Sequence, residues 1–420
     1  MNFNLHLKCE VCSNTIRLKV YAGYEPKNSF SYSCPECKIR ITGHLIWNDN
    51  LEESFIKEFS CINAKNTVEF EKESHVLQVA TEFYTDKIKK FDPNDPTLYL
   101  SPFMMESISF ELKRRKQRFV SNVTENFSND YKVSNRLWQL YKMENYKYLN
   151  RQLLSNKFVE PVLLGEILKI DYSDKLLEVL YKPFLPFLIE SKKIPELINI
   201  RNQLSYLKKN HSAELHQLKI DLEELLNYSE AELILLLDNF SKYYSYIWPI
   251  ILSTSLNTED IDEIKEKKGI LTTDFQDLKN YYVEAFEVLA SALPILLGIQ
   301  NIKFRKSRNI FHESNVKKFK NINSIIDYHH NVRKKGYKIQ FFEEENMFSS
   351  YDITKVLNNE IRNSIGHYSY NVESDQQLIH FIDGKKTCNL YLIEFADLLL
   401  QTFYATFFTF EVVFFLKNNV

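Results

Sequence analysis

Four of the six cysteines fall into two pairs, Cys9-Glu10-Val11-Cys12 and Cys34-Pro35-Glu36-Cys37, separated by 21 residues. Two such pairs can bring four thiolates around one tetrahedral ion, and the spacing lies near that of structural zinc sites. Four sulfur ligands leave no open coordination position, so Cys9, Cys12, Cys34 and Cys37 are expected to hold a structural Zn²⁺. Local disulfides and paired redox motifs are the competing readings. A redox C-x-x-C usually stands alone within a βαβ pattern, and no such pattern surrounds these cysteines. Cys61 and Cys388 lack metal-ligand neighbours and read as buried thiols.

A second concentration of chemistry lies near the C-terminus, in Arg362-Asn363-Ser364-Ile365-Gly366-His367. Histidine ordinarily titrates near pH ~6.5 and can act as acid or base close to neutrality. Arginine stays charged, and its planar fork matches the oxygens of a phosphorane. Such a pair suits metal-independent cleavage of RNA, in which a base takes the 2′-OH proton and an acid protonates the leaving 5′-oxygen. The products would be a 2′,3′-cyclic phosphate and a 5′-hydroxyl. Asn363 is placed to orient the pair by hydrogen bonding. One histidine does not easily supply both acid and base, so a two-fold homodimer that brings two motifs together is the expected arrangement.

The elements around the motif are legible. Asp352 reads as an N-cap, and Ile353, Val356, Leu357, Ile361 and Ile365 form an apolar stripe on one continuous helix. Arg362 falls about 180° from Ile353 on that helix. Gly366 is expected to end it in the left-handed conformation, leaving His367 to turn back toward Arg362. Leu378 to Ile382 and Thr387 to Leu392 read as paired strands around Asp383-Gly384-Lys385-Lys386, followed by a helix from Phe395 to Leu416.

This segment resembles the HEPN superfamily, small helical domains that include many ribonucleases and carry Arg, a polar residue, a short spacer and His. A second string, Arg305…His312, fits the loose pattern but reads as a decoy. The resemblance covers roughly residues 271–420. It implies a HEPN-like helical bundle with a short hairpin, a composite site in a homodimer with Arg362, Asn363 and His367 as catalytic residues, and a role in antiviral defence or growth arrest. An antitoxin or regulatory partner would accompany that role.

Between Lys303 and Lys338 eleven basic residues face only Glu313 and Asp327, a net +9 in a chain that is −2 overall. Such asymmetry is the footprint of a polyanion. Arg305, Lys306, Arg308, Lys317, Lys318, Arg333, Lys334 and Lys335 are the candidate RNA contacts. His329 and His330 lie in the same stretch; adjacent helical residues point about 100° apart, so solvated or capping roles suit them better. Further upstream, Trp138, Tyr141, Tyr146 and Tyr148 alternate with Arg136, Lys142, Lys147 and Arg151. Stacking on single-stranded nucleic acid is one reading, and an amphipathic helix with core aromatics is the favoured one.

The remaining organisation follows from pattern. Asn4–Lys8, Thr15–Tyr21, Phe30–Ser33 and Ile39–Trp47 read as strands of a zinc ribbon over residues 1–60. A middle domain over 61–270 has an extended entry near Val68–Val79 and then reads as helical from Thr81. Within it Leu204, Leu207, Leu215, Leu218, Leu222 and Leu225 recur at helical spacing, interrupted near His211, while Pro183, Pro186 and Pro195 mark a junction. The fold class is mainly α, with the β ribbon at one end and the HEPN-like domain at the other. The charge-free run Leu398–Phe410 is thirteen residues, short of the ~20 that span a bilayer. With no recognisable signal peptide, a soluble cytoplasmic protein without membrane partners is expected. No Walker loop, Gly-x-Ser-x-Gly or His-Glu-x-x-His string occurs. The alternative function is a non-catalytic, dimeric nucleic-acid- or partner-binding module stapled by zinc.

Overall fold

The structure is a computed structural model, and it describes all residues except 1, 22, 24, 26, 48–55, 68–74, 96–99, 101–109, 159–168, 191, 257–259 and 350–352. The chain is mainly helical, with small sheets toward each end, and it forms two compact units. The first gathers Met1–Ser121, Ser241–Val283 and Glu360–Leu400, drawing on all three stretches named above. The second gathers Asn122–Phe240, Glu284–Asn359 and Gln401–Val420.

In the first unit, β1 (Asn2–Cys9) and β2 (Thr15–Tyr21) form an antiparallel hairpin with Leu7 opposite Ile16. β3 (Lys27–Ser33) pairs with β4 (Arg40–Trp47), and β5 (Ile56–Ile62) adds to β4. The four expected ribbon strands are therefore present, each within a few residues of its expected ends. Of these, β1 and β2 are extended by β6 (Ala64–Asn66), β7 (His75–Ala80) and β9 (Lys89–Lys90) into a five-stranded sheet in the order β6-β1-β2-β7-β9, while β3, β4 and β5 form a separate three-stranded sheet. β7 runs parallel to β2 and is buried at every position, as a strand covered on both faces must be. Leu5, Leu7, Ile16, Leu18, Val20, Phe30, Ile41, Leu45, Leu77 and Val79 fill one core. Gly43 is required there, because a Cβ would fall 2.3 Å from the Ser60 carbonyl oxygen and 2.4 Å from the Phe30 ring.

The helical pattern expected from Thr81 does not begin there. Residues 81–95 form turns with β8 (Thr85–Asp86) and β9, and β8 pairs with β10 (Lys268–Gly269), more than 180 residues away in sequence. Long-range pairing overrides the local pattern. Among the described residues the first helix is α1 (Phe110–Lys142), followed by α2 (Tyr146–Ser155), α3 (Lys169–Glu190), α4 (Ile194–Asn210), α5 (Ser212–Asp221) and α6 (Glu223–Tyr243). A 3₁₀ turn leads into α7 (Trp248–Leu256), and α8 (Ile261–Ile264) precedes β10.

The second unit is built on aromatic packing. Phe240 stacks on Phe403 at 3.9 Å, and Phe184 and Phe187 close around them. This packing holds α3 together through Pro183 and Pro186, which lie inside the helix, contrary to the expected junction; Pro195 does open α4. The leucine seam is buried throughout, and its interruption at His211 is real, separating α4 from α5. Trp138 is buried against Phe410 and Phe414, and the Tyr131 hydroxyl donates to Asp238, whereas Tyr141 and Tyr146 are half-buried and Tyr148 is exposed, so the core reading holds for Trp138 alone of the four.

α9 (Phe275–Arg305) and α15 (Leu392–Asn419) are long and apolar enough to cross a membrane by length and composition. Their most apolar windows are 78% and 83% buried within the fold. Between them lie α10 (Glu313–Lys318), α11 (Ile325–Asn331), α12 (Lys335–Gln340), α13 (Ile353–Val356) and α14 (Asn359–Gly366). The single helix expected over Ile353–Gly366 is thus two, broken at Leu357 and Asn358, and the expected cap Asp352 lies outside the described residues. The expected hairpin is β12 (Leu378–Asp383) and β13 (Lys386–Tyr391), joined by β11 (Tyr370–Glu373) into a three-stranded sheet. Gly384, at φ +63°, starts its two-residue turn, where a side chain would be strained.

Candidate functional site

The two Cys-x-x-Cys turns repeat one geometry. Cys9 N–H donates to Asn14 O and Ser13 N–H to Cys9 O; correspondingly Cys34 N–H donates to Ile39 O and Lys38 N–H to Cys34 O. Ser13 and Lys38 occupy equivalent left-handed positions, at φ 62° and 63°. The four sulfurs lie within 4.8 Å of one another, with Cys9 to Cys37 at 3.6 Å and Cys12 to Cys34 at 3.5 Å, and no disulfide joins them. Tetrahedral ligands at ~2.3 Å from zinc stand about 3.8 Å apart, so the four cysteines are close enough to hold a metal ion.

Burial works to raise the Cys9 thiol, but hydrogen bonds from the backbone N–H groups of Cys12 and Val11 outweigh it and hold the thiol below its ordinary value. Burial pushes Cys34 up to about 12 against the same kind of bond from Cys37 and Glu36. Among the described residues the buried Tyr32 hydroxyl has no hydrogen-bond partner, and it lies in the field of Cys61, Cys34 and Cys9.

The Arg/His motif sits on α14, which is anchored by buried Ile361 and Ile365. Gly366 is the last helical residue rather than the left-handed one. That conformation falls on Tyr368, at φ +57°. Ser369 N–H donates to Ser364 O at 2.8 Å and Tyr368 N–H to Ile365 O at 3.2 Å, the paired bonds of a Schellman motif. His367 is then the cap residue, exposed, and among the described residues its ring makes no hydrogen bond.

Arg362 is half-buried, and its guanidinium nitrogen lies 3.7 Å from where a Cβ on Gly366 would stand, so the fork lies across the residue before His367. It donates to Asn363 Oδ1 at 3.3 Å, and Asn363 Nδ2 donates to Asp383 Oδ2 at 2.9 Å. The hairpin is held in place by Ile382 N–H to Ser369 O at 2.9 Å and by Lys386 to Glu360 at 2.6 Å. Phe275 at the start of α9 packs its ring against Tyr370, Phe381 and Phe395. Asp383, Tyr368 and Lys279 had no sequence signal: Asp383 reads only as a turn residue, and the other two become neighbours through the fold.

All eight candidate RNA contacts lie in the second unit, whereas Arg362, Asn363 and His367 lie in the first. Arg305 pairs with Glu345, Arg308 with Glu214 and Asp221, and Lys335 with Glu287. These three cations are therefore committed within the fold. Lys306, Lys317, Lys318, Arg333 and Lys334 are exposed, with Lys317 3.8 Å from Glu313. Lys334 lies over the exposed Tyr337 ring, and Phe319 packs beside that ring.

Comparison of the chain with protein families, curated proteins and solved structures finds no match.

Proposed function

We propose that the chain is a HEPN-type endoribonuclease that cleaves RNA without a catalytic metal, and that the four-cysteine cluster binds a structural zinc ion. The reading is supported by the relay Asp383–Asn363–Arg362, whose guanidinium lies against Gly366, the residue before the exposed His367. Arginine there would neutralise the phosphorane, and histidine would move the proton. Tyr368, 80% exposed next to His367, offers a ring on which a base can stack. With one His367 per chain, a homodimer supplies separate acid and base. By resemblance, the role is antiviral defence or growth arrest in the cytoplasm, under an antitoxin or regulatory partner.

The test is cleavage of labelled single-stranded RNA in EDTA, with the 2′,3′-cyclic phosphate as the diagnostic product. Arg362→Ala and His367→Ala are expected to abolish it. Cleavage by the variants at the wild-type rate would remove the nuclease reading. A second reading, a non-catalytic RNA-binding module, is favoured by the exposed cations Lys317, Lys318, Arg333 and Lys334 with Tyr337, and it predicts salt-sensitive binding without turnover.

A further inference from the structure

A cavity of about 270 Å³ opens in the first unit between β3, the start of α9 and the β11–β12 sheet. Its apolar wall is Phe275, Val372, Ile379 and Leu392, and its polar wall includes Ser33, Ser374 and Gln276, together with Ser31, already bonded to Asp274 and Arg40, and Gln377, already bonded to the Ile270 backbone. That volume is near the lower end of small-ligand sites, about 300–1,000 Å³. An apolar slot edged by hydroxyls and amides is what a nucleobase needs, a flat face to bury and a hydrogen-bonding edge to read.

The cations at its mouth are already engaged. Lys38 pairs with Asp375, and Arg40 with Asp274 and Asp277. Lys279 differs. Its Nζ donates to Gln276 Oε1 and, at 2.8 Å, to the Tyr370 hydroxyl, and it lies 5.8 Å from the Tyr368 ring; among the described residues no carboxylate pairs with it. Gln276 lines the cavity and Tyr368 adjoins His367 in sequence, so Lys279 contacts one residue of the slot and one residue next to the motif.

We infer that this cavity is a nucleotide subsite, with the base in the slot and the phosphate on Lys279. The inference rests on the ribonuclease reading for its role, since the bound nucleotide would neighbour the scissile one, but its binding test does not depend on cleavage. The full chain carrying His367→Ala is titrated calorimetrically with AMP, GMP, CMP and UMP, with the matching nucleosides, and with a single-stranded oligonucleotide. At least one mononucleotide is expected to bind. Val372→Trp, which fills the slot from a half-exposed strand position, and Gln276→Ala, at an exposed helix start, are each expected to weaken it at least tenfold. Lys279→Ala should weaken the mononucleotide while leaving the nucleoside unchanged, and Lys279→Arg should restore it. Displacement of the mononucleotide by the oligonucleotide assigns the slot to RNA; simultaneous binding assigns it to free nucleotide. Failure of all four mononucleotides to bind, or unaltered affinity in a folded Val372→Trp chain, overturns the inference even if cleavage is intact.

Discussion

Tyr368 is the position where stability and function can be pulled apart. It holds the left-handed conformation that closes α14, yet its ring is 80% exposed and buries almost nothing. A non-glycine residue there costs about 1–2 kcal/mol. Tyr368→Ala keeps that strain and loses only the cation–π contact with Lys279, about 0.5 kcal/mol at an exposed site. Tyr368→Gly relieves the strain but adds about 0.5–1 kcal/mol of unfolded-chain entropy. The glycine variant should therefore be more stable than the alanine variant by about 0.5–1 kcal/mol, or roughly 2 °C for a unit of this size. RNA affinity should not follow that order. Losing the ring removes ~1–3 kcal/mol of base stacking, so both variants should bind single-stranded RNA at least fivefold more weakly than wild type. Thermal melts of the three proteins and fluorescence anisotropy with a labelled oligonucleotide give both quantities. Equal melting of the two variants would refute the strain argument, and wild-type RNA affinity in both would refute the stacking role.

Other consequences can be measured directly. Elemental analysis of the reduced protein should find about one zinc ion per chain, and Cys34→Ser should lose it together with the cooperative unfolding of the β core, because all four sulfurs are needed to close the site. Arg201 binds the buried carboxylate of Glu411 through two hydrogen bonds, at 2.7 and 3.3 Å, so Arg201→Ala should cost about 2 kcal/mol in urea unfolding, discounted for the half-exposed guanidinium. Replacing both as Arg201→Met/Glu411→Leu should recover most of that loss. Burial, aided by His330 and Lys338, pushes His329 down to about 4. The unfolded chain then takes up the proton first, so His329 leaves stability intact above pH ~6.5 and erodes it as pH falls from ~6.5 toward 4. Subtracting the His329→Gln urea profile from that of wild type should show the slope in that window, and a flat difference would contradict it.

Local chemistry made much of this fold readable. Cysteine spacing announces the two knuckles, alternation announces β1 to β4, and the leucine seam announces α4 to α6 with the break at His211. What escaped depends on distant partners. The stretch after Thr81 pairs with Lys268–Gly269, and nothing near Thr85 reports that strand. Gly366 looked like the left-handed residue by type, yet Tyr368 holds that conformation because the chain must turn two residues later to lay Ser369 against Ile382. The basic stretch read as one polyanion footprint by charge alone. Folding removes Arg305, Arg308 and Lys335 into ion pairs with acids from elsewhere in the sequence.

The same dependence on distant partners ties the two chemical sites of the first unit together. Lys38, in the left-handed position of the second knuckle, pairs with Asp375 in the β11–β12 turn, and Arg40, two residues on, pairs with Asp274 and Asp277 at the start of α9. Ser31 adds a side-chain bond to Asp274 at 2.9 Å and a backbone bond to Leu271 O at 2.9 Å. β12 begins three residues after Asp375 and ends at Asp383, which fixes Asn363 and through it Arg362. Each surface pair alone contributes little, about 0–1 kcal/mol. Several pairs converging on one turn and one helix start restrict the hairpin's position, which is what a relay built on single hydrogen bonds requires. The four-cysteine cluster and the Arg362/His367 motif are thus tied to one hairpin and one helix start within the same unit.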